Sequence, residues 1–158
     1  MKRDKLPYRK NCEGYFIKDN KILARDSKQG YVIFPGGGIE KKENPEEAIL
    51  RETLEETGAR IKNIKEICSL KIIWDDDWAK TEKQKERYRK YQGDEMYFFT
   101  GNIINFENFL ILEEDSWKEE KLMELKEVIE IIEKGKPFNK NSEEYHEMQI
   151  QILKKLTN

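Results

Sequence analysis

One continuous stretch, residues 31–58, constrains the fold more than any other part of the sequence. A short run of β-forming residues stops at Pro35, and three consecutive glycines follow. They predict a loop, because glycine is entropically costly in a regular element. A helix should then begin, since Asn44 is a good N-cap and Pro45 suits the first helical position, and Gly58 is placed to end it. The stretch therefore predicts a strand, a glycine loop and a helix in that order.

Three carboxylates share one face of the predicted helix. Glu52, Glu55 and Glu56 stand at positions i, i+3 and i+4. Their like charges repel and destabilise a helix by roughly a few tenths of a kcal/mol per pair. A hard divalent cation such as Mg²⁺ removes that penalty, because it prefers oxygen ligands, and the preceding glycines can bring bare backbone close to the same ion or to a phosphate. The alternative is a glutamate-rich helix face that is simply solvated.

The spacing around these carboxylates resembles the Nudix box, written G-x5-E-x7-R-E-U-x-E-E-x-G-U with U aliphatic. The residues on its required positions are Gly37, Glu43, Arg51, Glu52, Glu55, Glu56 and Gly58. Agreement at seven fixed positions is a specific signal for a motif. Thr53 and Ala59 depart from the aliphatic pattern, and Lys41-Lys42 replaces a common Pro-Gly, which concerns packing and the loop rather than the carboxylates. The resemblance implies the Nudix fold, an α/β/α sandwich with a mixed sheet.

The resemblance also implies roles for individual residues. The three helix glutamates would bind Mg²⁺ or Mn²⁺, helped by the Gly37 carbonyl, and Arg51 would pair with Glu43 to fix the loop against the helix. Water would then attack a phosphorus in line while cations neutralise the charge on the phosphates. The reaction expected is cleavage of a phosphoanhydride in a nucleoside diphosphate linked to another group.

The general base is left open between two sources. In this family it is either the glutamate at the position of Glu52 or a carboxylate from a later loop. Glu95 and its neighbour Asp94 are the nearest later candidates, and the run 75–77 of three aspartates competes with them. For each of these later carboxylates, a plain solvated turn is the alternative.

Regular elements are predicted on both sides of the box, and no repeat or linker interrupts them, so we expect a single domain over residues 1–158. Strands are expected, from β-branched and alternating residues, at 14–18, 21–25, 31–34, 61–73 and 96–104. Closing helices are expected at 126–134 and 142–156, the second with Tyr145, Met148, Ile152 and Leu156 facing the core. Residues 74–94 form a long polar insertion with a short helix at 80–90, and such insertions are often functional.

Several side chains outside the box are candidates for substrate binding. Arg25 lies on the second predicted strand, where similar triphosphate hydrolases place a phosphate-contacting arginine, and a surface ion pair is the alternative. Phe34, Trp74 and Trp78 could stack on a base, although aromatic residues beside strands more often belong to a core. A basic run in the insertion could attract a polyphosphate or RNA, with a solvated helix as the alternative. Its residues are Lys80, Lys83, Lys85, Arg87, Arg89 and Lys90.

Composition excludes several classes of protein. The 30 basic and 32 acidic side chains nearly cancel, so no global charge favours nucleic acid or a membrane. Cys12 and Cys68 are far apart with no CxxC spacing, which argues against a zinc site or a disulfide framework. No apolar run reaches the length of a membrane span, and we expect a cytoplasmic protein, either a monomer or a homodimer. His146 is the only histidine, so an enzyme of this composition would rely on carboxylates.

The substrate is inferred by elimination. The window some 15–18 residues after the box holds Trp74 and three aspartates, so neither the ADP-ribose nor the dinucleoside polyphosphate signature of the family is present. The chain most resembles hydrolases that convert a (d)NTP to (d)NMP and pyrophosphate, with oxidised purine nucleotides among the candidates. An RNA 5′-end pyrophosphohydrolase or decapping enzyme is a less favoured alternative. A non-catalytic nucleotide sensor is a second alternative, disfavoured by the intact carboxylate set.

Overall fold

The computed structural model describes residues 2–107, 116–118, 120–137 and 140–157. The strands are β1 (Tyr8–Lys18), β2 (Lys21–Leu23), β3 (Arg25–Asp26), β4 (Val32–Ile33), β5 (Gly36–Gly38), β6 (Ala59–Ile73), β7 (Gly93–Phe106) and β8 (Leu122–Glu124). The helices are α1 (Pro45–Thr57), α2 (Glu82–Lys90), α3 (Leu125–Lys134) and α4 (Glu143–Leu156). Short 3-10 turns lie at Arg3–Lys5 and Lys140–Ser142.

The main sheet is mixed. Its strand order among the described residues is β6-β7-β1-β2-β8, with β5 also paired to β1, while β3 and β4 form a separate ribbon. β1 runs parallel to β7 in a register that pairs Tyr8 with Gly93 and Ile17 with Asn102. The other described pairings are antiparallel. The sequence prediction of a mixed sheet is confirmed.

Alternation along the two central strands places helices on both faces of the sheet. Phe16 and Phe99 point to one face and pack with residues of α1. Tyr15 and Phe98 point to the other and pack with residues of α3 and α4. Burying each such side chain contributes about 1.5–3 kcal/mol. The result is the predicted α/β/α sandwich, and the expected core-facing stripe of α4 lies in the second of these cores.

The helix that carries the box begins and ends as predicted. The Asn44 side chain accepts a hydrogen bond from the Glu47 amide at 2.8 Å, and the Glu47 carboxylate accepts one from the Asn44 amide at 3.0 Å. Both halves of a capping box are therefore present, with Pro45 at the first helical position. Gly58 ends the helix with φ of 79°, a left-handed conformation that favours glycine.

The prediction of a loop at the three glycines is wrong. Gly36–Gly38 forms strand β5 and pairs antiparallel with Asn11–Glu13 of β1. The glycines are there because side chains would not fit. A Cβ on Gly36 would lie 2.1 Å from the Cys12 carbonyl oxygen, and a Cβ on Gly38 would lie 2.7 Å from a nitrogen of the Arg9 guanidinium.

The second predicted strand divides into two. β2 ends at Leu23, and the Ala24 amide then donates to the Lys121 carbonyl at 3.0 Å. From Arg25 the chain leaves the main sheet and pairs with Val32–Ile33 instead. Ile22 and Ala24 still lie in one core and Leu23 in the other, as the alternation predicted.

The polar insertion is attached to the N-terminal segment. Arg3 donates from its two terminal nitrogens to the main-chain carbonyls of Tyr88 and Tyr91, at 2.5 and 2.9 Å. Its guanidinium also lies over the Tyr88 ring, 3.4 Å from the centroid. The main-chain amide of Gln92 donates to the Pro7 carbonyl at 3.0 Å. Helix α2, close to the predicted span, is therefore held beside the start of β1. No helix within the described residues is long and apolar enough to cross a membrane.

Candidate active site

Arg51 lies at the centre of a group of carboxylates on α1 and on the loop that precedes it. Its Nε and one terminal nitrogen each donate to Glu43 at 2.8 Å. Its other terminal nitrogen donates to Glu52 at 3.1 Å and to Glu55 at 3.2 Å. The terminal nitrogen that donates to Glu43 also donates to the Gly38 carbonyl at 3.1 Å. One guanidinium thus joins the loop, the helix and strand β5, in the fork geometry that a lysine cannot reproduce.

These bonds have electrostatic consequences for both partners. The hydrogen bonds from Arg51 lower the pKa of Glu43, and the bonds to Glu43 raise the pKa of Arg51. The ion pair expected from the resemblance is present in bidentate form.

Glu52 lies against the glycine strand. A Cβ on Gly37 would be 2.6 Å from its carboxylate carbon, so the absence of a side chain at Gly37 makes room for this carboxylate. Burial raises the pKa of Glu52, while the charge of Arg51 opposes that rise. The Cys12 thiol, on the strand paired with β5, donates to the Gly37 carbonyl at 3.4 Å. Burial raises the pKa of this thiol to about 12.

Glu56 is directed to the same strand. Its Oε1 accepts a hydrogen bond from the Gly36 amide at 2.8 Å. The three helix glutamates therefore have different partners: Arg51 for Glu52 and Glu55, and backbone for Glu56.

The donor set suits a hard divalent cation in chemistry, because it consists of carboxylate oxygens beside a backbone carbonyl. Among the described residues, no group of three or more His, Cys, Asp or Glu side chains is arranged to hold a metal ion. The reason is visible in the hydrogen bonds: Glu52 and Glu55 turn to Arg51. Both could leave that nitrogen without releasing Arg51, which keeps its two bonds to Glu43. A cation at these residues is thus compatible with the loop remaining in place.

The two later carboxylates lie on opposite faces of β7. Glu95 and Tyr97 are two residues apart in β7 and point to the same face, where Tyr97 packs in the core beside α1. The Tyr97 hydroxyl donates to Glu95 at 2.7 Å. That bond raises the pKa of Tyr97 to about 12. Asp94 faces the other side, where Asn11 and the Trp74 indole donate to it, and burial raises its pKa. Of the two, Glu95 shares the face of the helix glutamates. The aspartates at 75–77 belong to the insertion, where Asp76 accepts from the Tyr88 hydroxyl at 2.9 Å.

Arg25 is exposed and lines a cavity that does not include Arg51 or the three helix glutamates. Its guanidinium is 5.3 Å from the centroid of the Trp117 ring, and both line this cavity of about 720 Å³. The main-chain amide of Trp117 donates to the Glu56 carbonyl at 2.8 Å, so this cavity adjoins the end of α1.

The aromatic candidates are largely enclosed. Phe34 is 6% exposed, and its ring centroid is 4.3 Å from that of Tyr15. Trp74 is 4% exposed, stacks on Trp78 at 3.7 Å and donates from its indole to Asp94 at 2.9 Å. Trp78 is half-exposed, and the two tryptophans line a cavity of about 660 Å³ together with Asp94. A planar ligand would meet Trp78 more readily than Trp74 or Phe34.

Two groups near the glycine strand were not found from the sequence. Arg9 lies against Gly38 and donates to Asn11 at 2.5 Å. Glu13 is buried and accepts hydrogen bonds from the hydroxyls of Tyr15 and Tyr145, each at 2.5 Å. Neither residue gave a signal in the sequence, because Glu13 precedes the predicted strand 14–18 and Arg9 stands in an ordinary polar N-terminus.

Comparison with known proteins decides the family. The model of the NUDIX domain matches residues 14–145, which is most of the chain. This chain belongs to the Nudix family. It is a Nudix hydrolase, as the box predicted, and hydrolases of this family generally use divalent metals and act on nucleotides. The match extends well beyond the box itself.

Related proteins agree with this assignment. The Bacillus subtilis (strain 168) protein named "Putative 8-oxo-dGTP diphosphatase YtkD" is 33% identical over 117 residues, which cover 67% of this chain and 73% of that protein. A Nudix hydrolase from Nitrosomonas europaea shares the fold with a TM-score of 0.56 and 17% identity, over 77% of this chain and 75% of that one. A MutT protein from Bacillus halodurans has a TM-score of 0.50 and 22% identity, over 78% and 72%.

Proposed function

We propose that this Nudix hydrolase converts nucleoside triphosphates, including oxidised purine nucleotides, to a monophosphate and pyrophosphate. The observation that carries the proposal is the group of carboxylates around Arg51, which lies beside the side-chain-free backbone of β5. Exposed backbone and oxygen ligands together suit a phosphate chain with its cation. The resemblance to a relative named for 8-oxo-dGTP supports the choice of substrate.

We assign the cation, Mg²⁺ or Mn²⁺, to Glu52, Glu55 and Glu56 with the Gly37 carbonyl. When bound, a divalent cation neutralises phosphate charge and makes a water molecule more acidic. Arg51 acts as a positioning residue, because its bidentate bond to Glu43 keeps the loop and helix in register whether or not Glu52 and Glu55 remain on it.

We assign the general base to Glu52, with Glu95 as the second candidate. The Glu52 carboxylate lies against Gly37, the position assigned to the cation and the phosphate chain, so it would be within reach of an attacking water. In the proposed step the water oxygen forms a bond to phosphorus, its proton passes to this carboxylate, and the anhydride P–O bond breaks with its electron pair leaving on pyrophosphate. Glu95 shares the face of α1, and Tyr97 orients its carboxylate.

The nucleotide base is assigned to the cavity lined by Trp78, Trp74 and Asp94. Trp78 offers the ring for stacking, Trp74 holds it in place, and Phe34 contributes indirectly by packing on Tyr15. Arg25 remains a candidate for a phosphate contact from the cavity beside Trp117, at the end of α1.

Hydrolysis of a panel of ordinary and oxidised (d)NTPs, with products separated by chromatography, tests the proposal. We expect monophosphate and pyrophosphate. Release of inorganic phosphate with a nucleoside diphosphate would contradict the position of cleavage. Faster release of pyrophosphate from a 5′-triphosphate RNA than from any nucleotide would favour the RNA alternative, whose support is the basic insertion.

Replacing Glu56 by glutamine tests the metal assignment. The amide oxygen can still accept from the Gly36 amide, so the fold should be retained, but the negative charge is lost. We expect kcat/KM with Mg²⁺ to fall by at least about 100-fold, with little change in the thermal midpoint. Glu46→Gln is the matched control, because Glu46 is exposed on the same helix and stands at a variable position of the box. Near wild-type turnover in Glu56→Gln would overturn the metal assignment.

A further inference from the structure

Helix α2 presents two different basic surfaces. Lys83, Arg87 and Lys90 recur at i, i+4 and i+7, and line a cavity of about 250 Å³ together with Arg9 of β1. Lys85 and Arg89 do not line it. Lys85 is exposed and pairs with Glu82 at 3.5 Å, and Arg89 is exposed. The basic run of the sequence is therefore two groups with different surroundings.

The positive charge of this cavity is only partly balanced by the protein. Glu86 also lines the cavity and pairs with Lys90, and the charge of Asp94 acts on Arg9. Among the ion pairs of the described residues, none involves Arg9, Lys83 or Arg87, whereas Lys90 is paired with Glu86 at 3.2 Å. Burial and the nearby charge of Arg87 lower the pKa of Arg9, although the charges of Asp94 and Glu52 oppose that change. Repulsion between cations held at a fixed distance is relieved by an anion of high charge, as repulsion between carboxylates is relieved by a metal ion.

The cavity adjoins the candidate active site through the glycine strand. The Arg9 guanidinium lies against Gly38, and the Glu52 carboxylate lies against Gly37, the preceding residue. Arg9 and Glu52 are close enough for the charge of Glu52 to act on the pKa of Arg9. Since consecutive residues of a strand point to opposite faces, Arg9 and Glu52 lie on opposite faces of β5. Among the described residues β5 pairs only with β1, so a phosphate chain that passes the other edge of β5 would have its cation on one face and the arginines on the other.

We propose that Arg9, Lys83 and Arg87 form a phosphate-binding site on the insertion helix that holds the polyphosphate chain of the nucleotide substrate. This deepens the proposed function and rests on it for the identity of the substrate. Arginine suits the role because its planar fork bonds phosphate oxygens in pairs.

A small nucleotide fits this surface better than RNA does. An RNA chain needs an extended basic track along its phosphates. Lys85, which lies outside the cavity, and Lys90, which lines it, are each paired with a glutamate of the same helix, and these pairs interrupt such a track. Arg9, Lys83 and Arg87, which form no ion pair within the described part of the chain, converge on a cavity of about 250 Å³.

Binding of inorganic tripolyphosphate to the metal-free full chain, measured by calorimetry, tests the site separately from catalysis. The variant Lys83→Ala/Arg87→Ala should weaken binding by roughly tenfold or more, since hydrogen bonds to charged groups are lost. The control Lys85→Ala/Arg89→Ala removes the same charge from the same helix and should weaken binding by less than about threefold, because neither residue lines the cavity and their more distant charges are screened. Circular dichroism checks that both variants fold.

The outcomes separate the two proposals. Equal losses in both variants, or none in the first, would overturn the phosphate site. Loss confined to the first variant supports it, even if the wild-type chain hydrolyses no nucleoside triphosphate, in which case the proposed function fails alone. If a 5′-triphosphate oligonucleotide binds far more tightly than tripolyphosphate and both variants lose that binding, the small-nucleotide assignment is overturned in favour of RNA.

Discussion

Glu43 and Glu13 are both hydrogen-bonded carboxylates, yet their surroundings shift their pKa values in opposite directions. Arg51 donates twice to Glu43 and lowers its pKa. Glu13 is removed from water, and burial raises its pKa although Tyr145, Tyr15 and Gln149 donate to it. At Glu13 the hydrogen bonds from neutral donors do not offset the loss of hydration, so the pKa rises. At Glu43 the hydrogen bonds from the positively charged Arg51 outweigh the loss of hydration, so the pKa falls.

Glu13→Gln should therefore change how stability depends on pH. Because the pKa of Glu13 is higher in the folded chain than in the unfolded one, folding binds a proton between those two values. The free energy of unfolding of the wild type should then decline as pH rises above about 4.3, the ordinary value for glutamate. Glutamine does not titrate, so the variant should show a flatter profile in denaturant unfolding from pH 4.5 upward.

A second substitution sharpens that test. Tyr145→Phe removes a hydrogen bond that lowers the pKa of Glu13, so the decline should continue to higher pH than in the wild type. If Glu13→Gln shifts stability by a constant amount at every pH, the raised pKa of Glu13 is incorrect.

At the scale of single elements, α1 is held by local signals at its first turn. The capping box of Asn44 and Glu47 satisfies two amides that the helix itself leaves unpaired. Asn44→Ala should cost about 1 kcal/mol, which lowers the thermal midpoint by roughly 2–4 °C in a domain of this size.

Asn44→Ser is the matched control, because serine also caps helices and should recover most of the loss. Both variants should retain wild-type turnover at 25 °C, since neither alters the Arg51 group. A loss of activity in Asn44→Ala without a loss of stability would show that the loop, rather than the helix, depends on the cap.

Local signals also explain which elements could be predicted from the sequence. The helix α1 follows from its caps and its local spacing, and the Arg51–Glu43 pair follows from the resemblance to the Nudix box. Strand β5 was missed because its pairing with β1 spans some 25 residues and overrides the low strand propensity of glycine. The Arg9–Arg87 cavity was missed for a similar reason, since it depends on how α2 docks at the start of β1.

At the scale of the whole molecule, a net charge of −2 conceals two opposite local charges. The carboxylates of α1 and the cations of α2 lie on either side of the glycine strand. Overall charge therefore predicts nothing about phosphate binding, because fields are set by the nearest groups within about 10 Å at 0.1 M salt. What brings the basic helix into this position is the N-terminal segment.

Arg3→Ala tests whether that segment holds α2 in place. Arg3 donates to two main-chain carbonyls at the end of α2 and covers the Tyr88 ring, so its loss should lower the free energy of local opening by about 1–2 kcal/mol. Hydrogen exchange of the α2 amides should accelerate by roughly 5- to 30-fold, while exchange in β1 and β7 stays unchanged. Tripolyphosphate binding should weaken as well, although Arg3 does not line the cavity. Lys2→Ala removes the same charge from the exposed neighbouring residue and should change neither measurement. Unaltered α2 exchange in Arg3→Ala would mean that contacts other than those of Arg3 hold the helix, and that the N-terminal segment plays no part in forming the phosphate site.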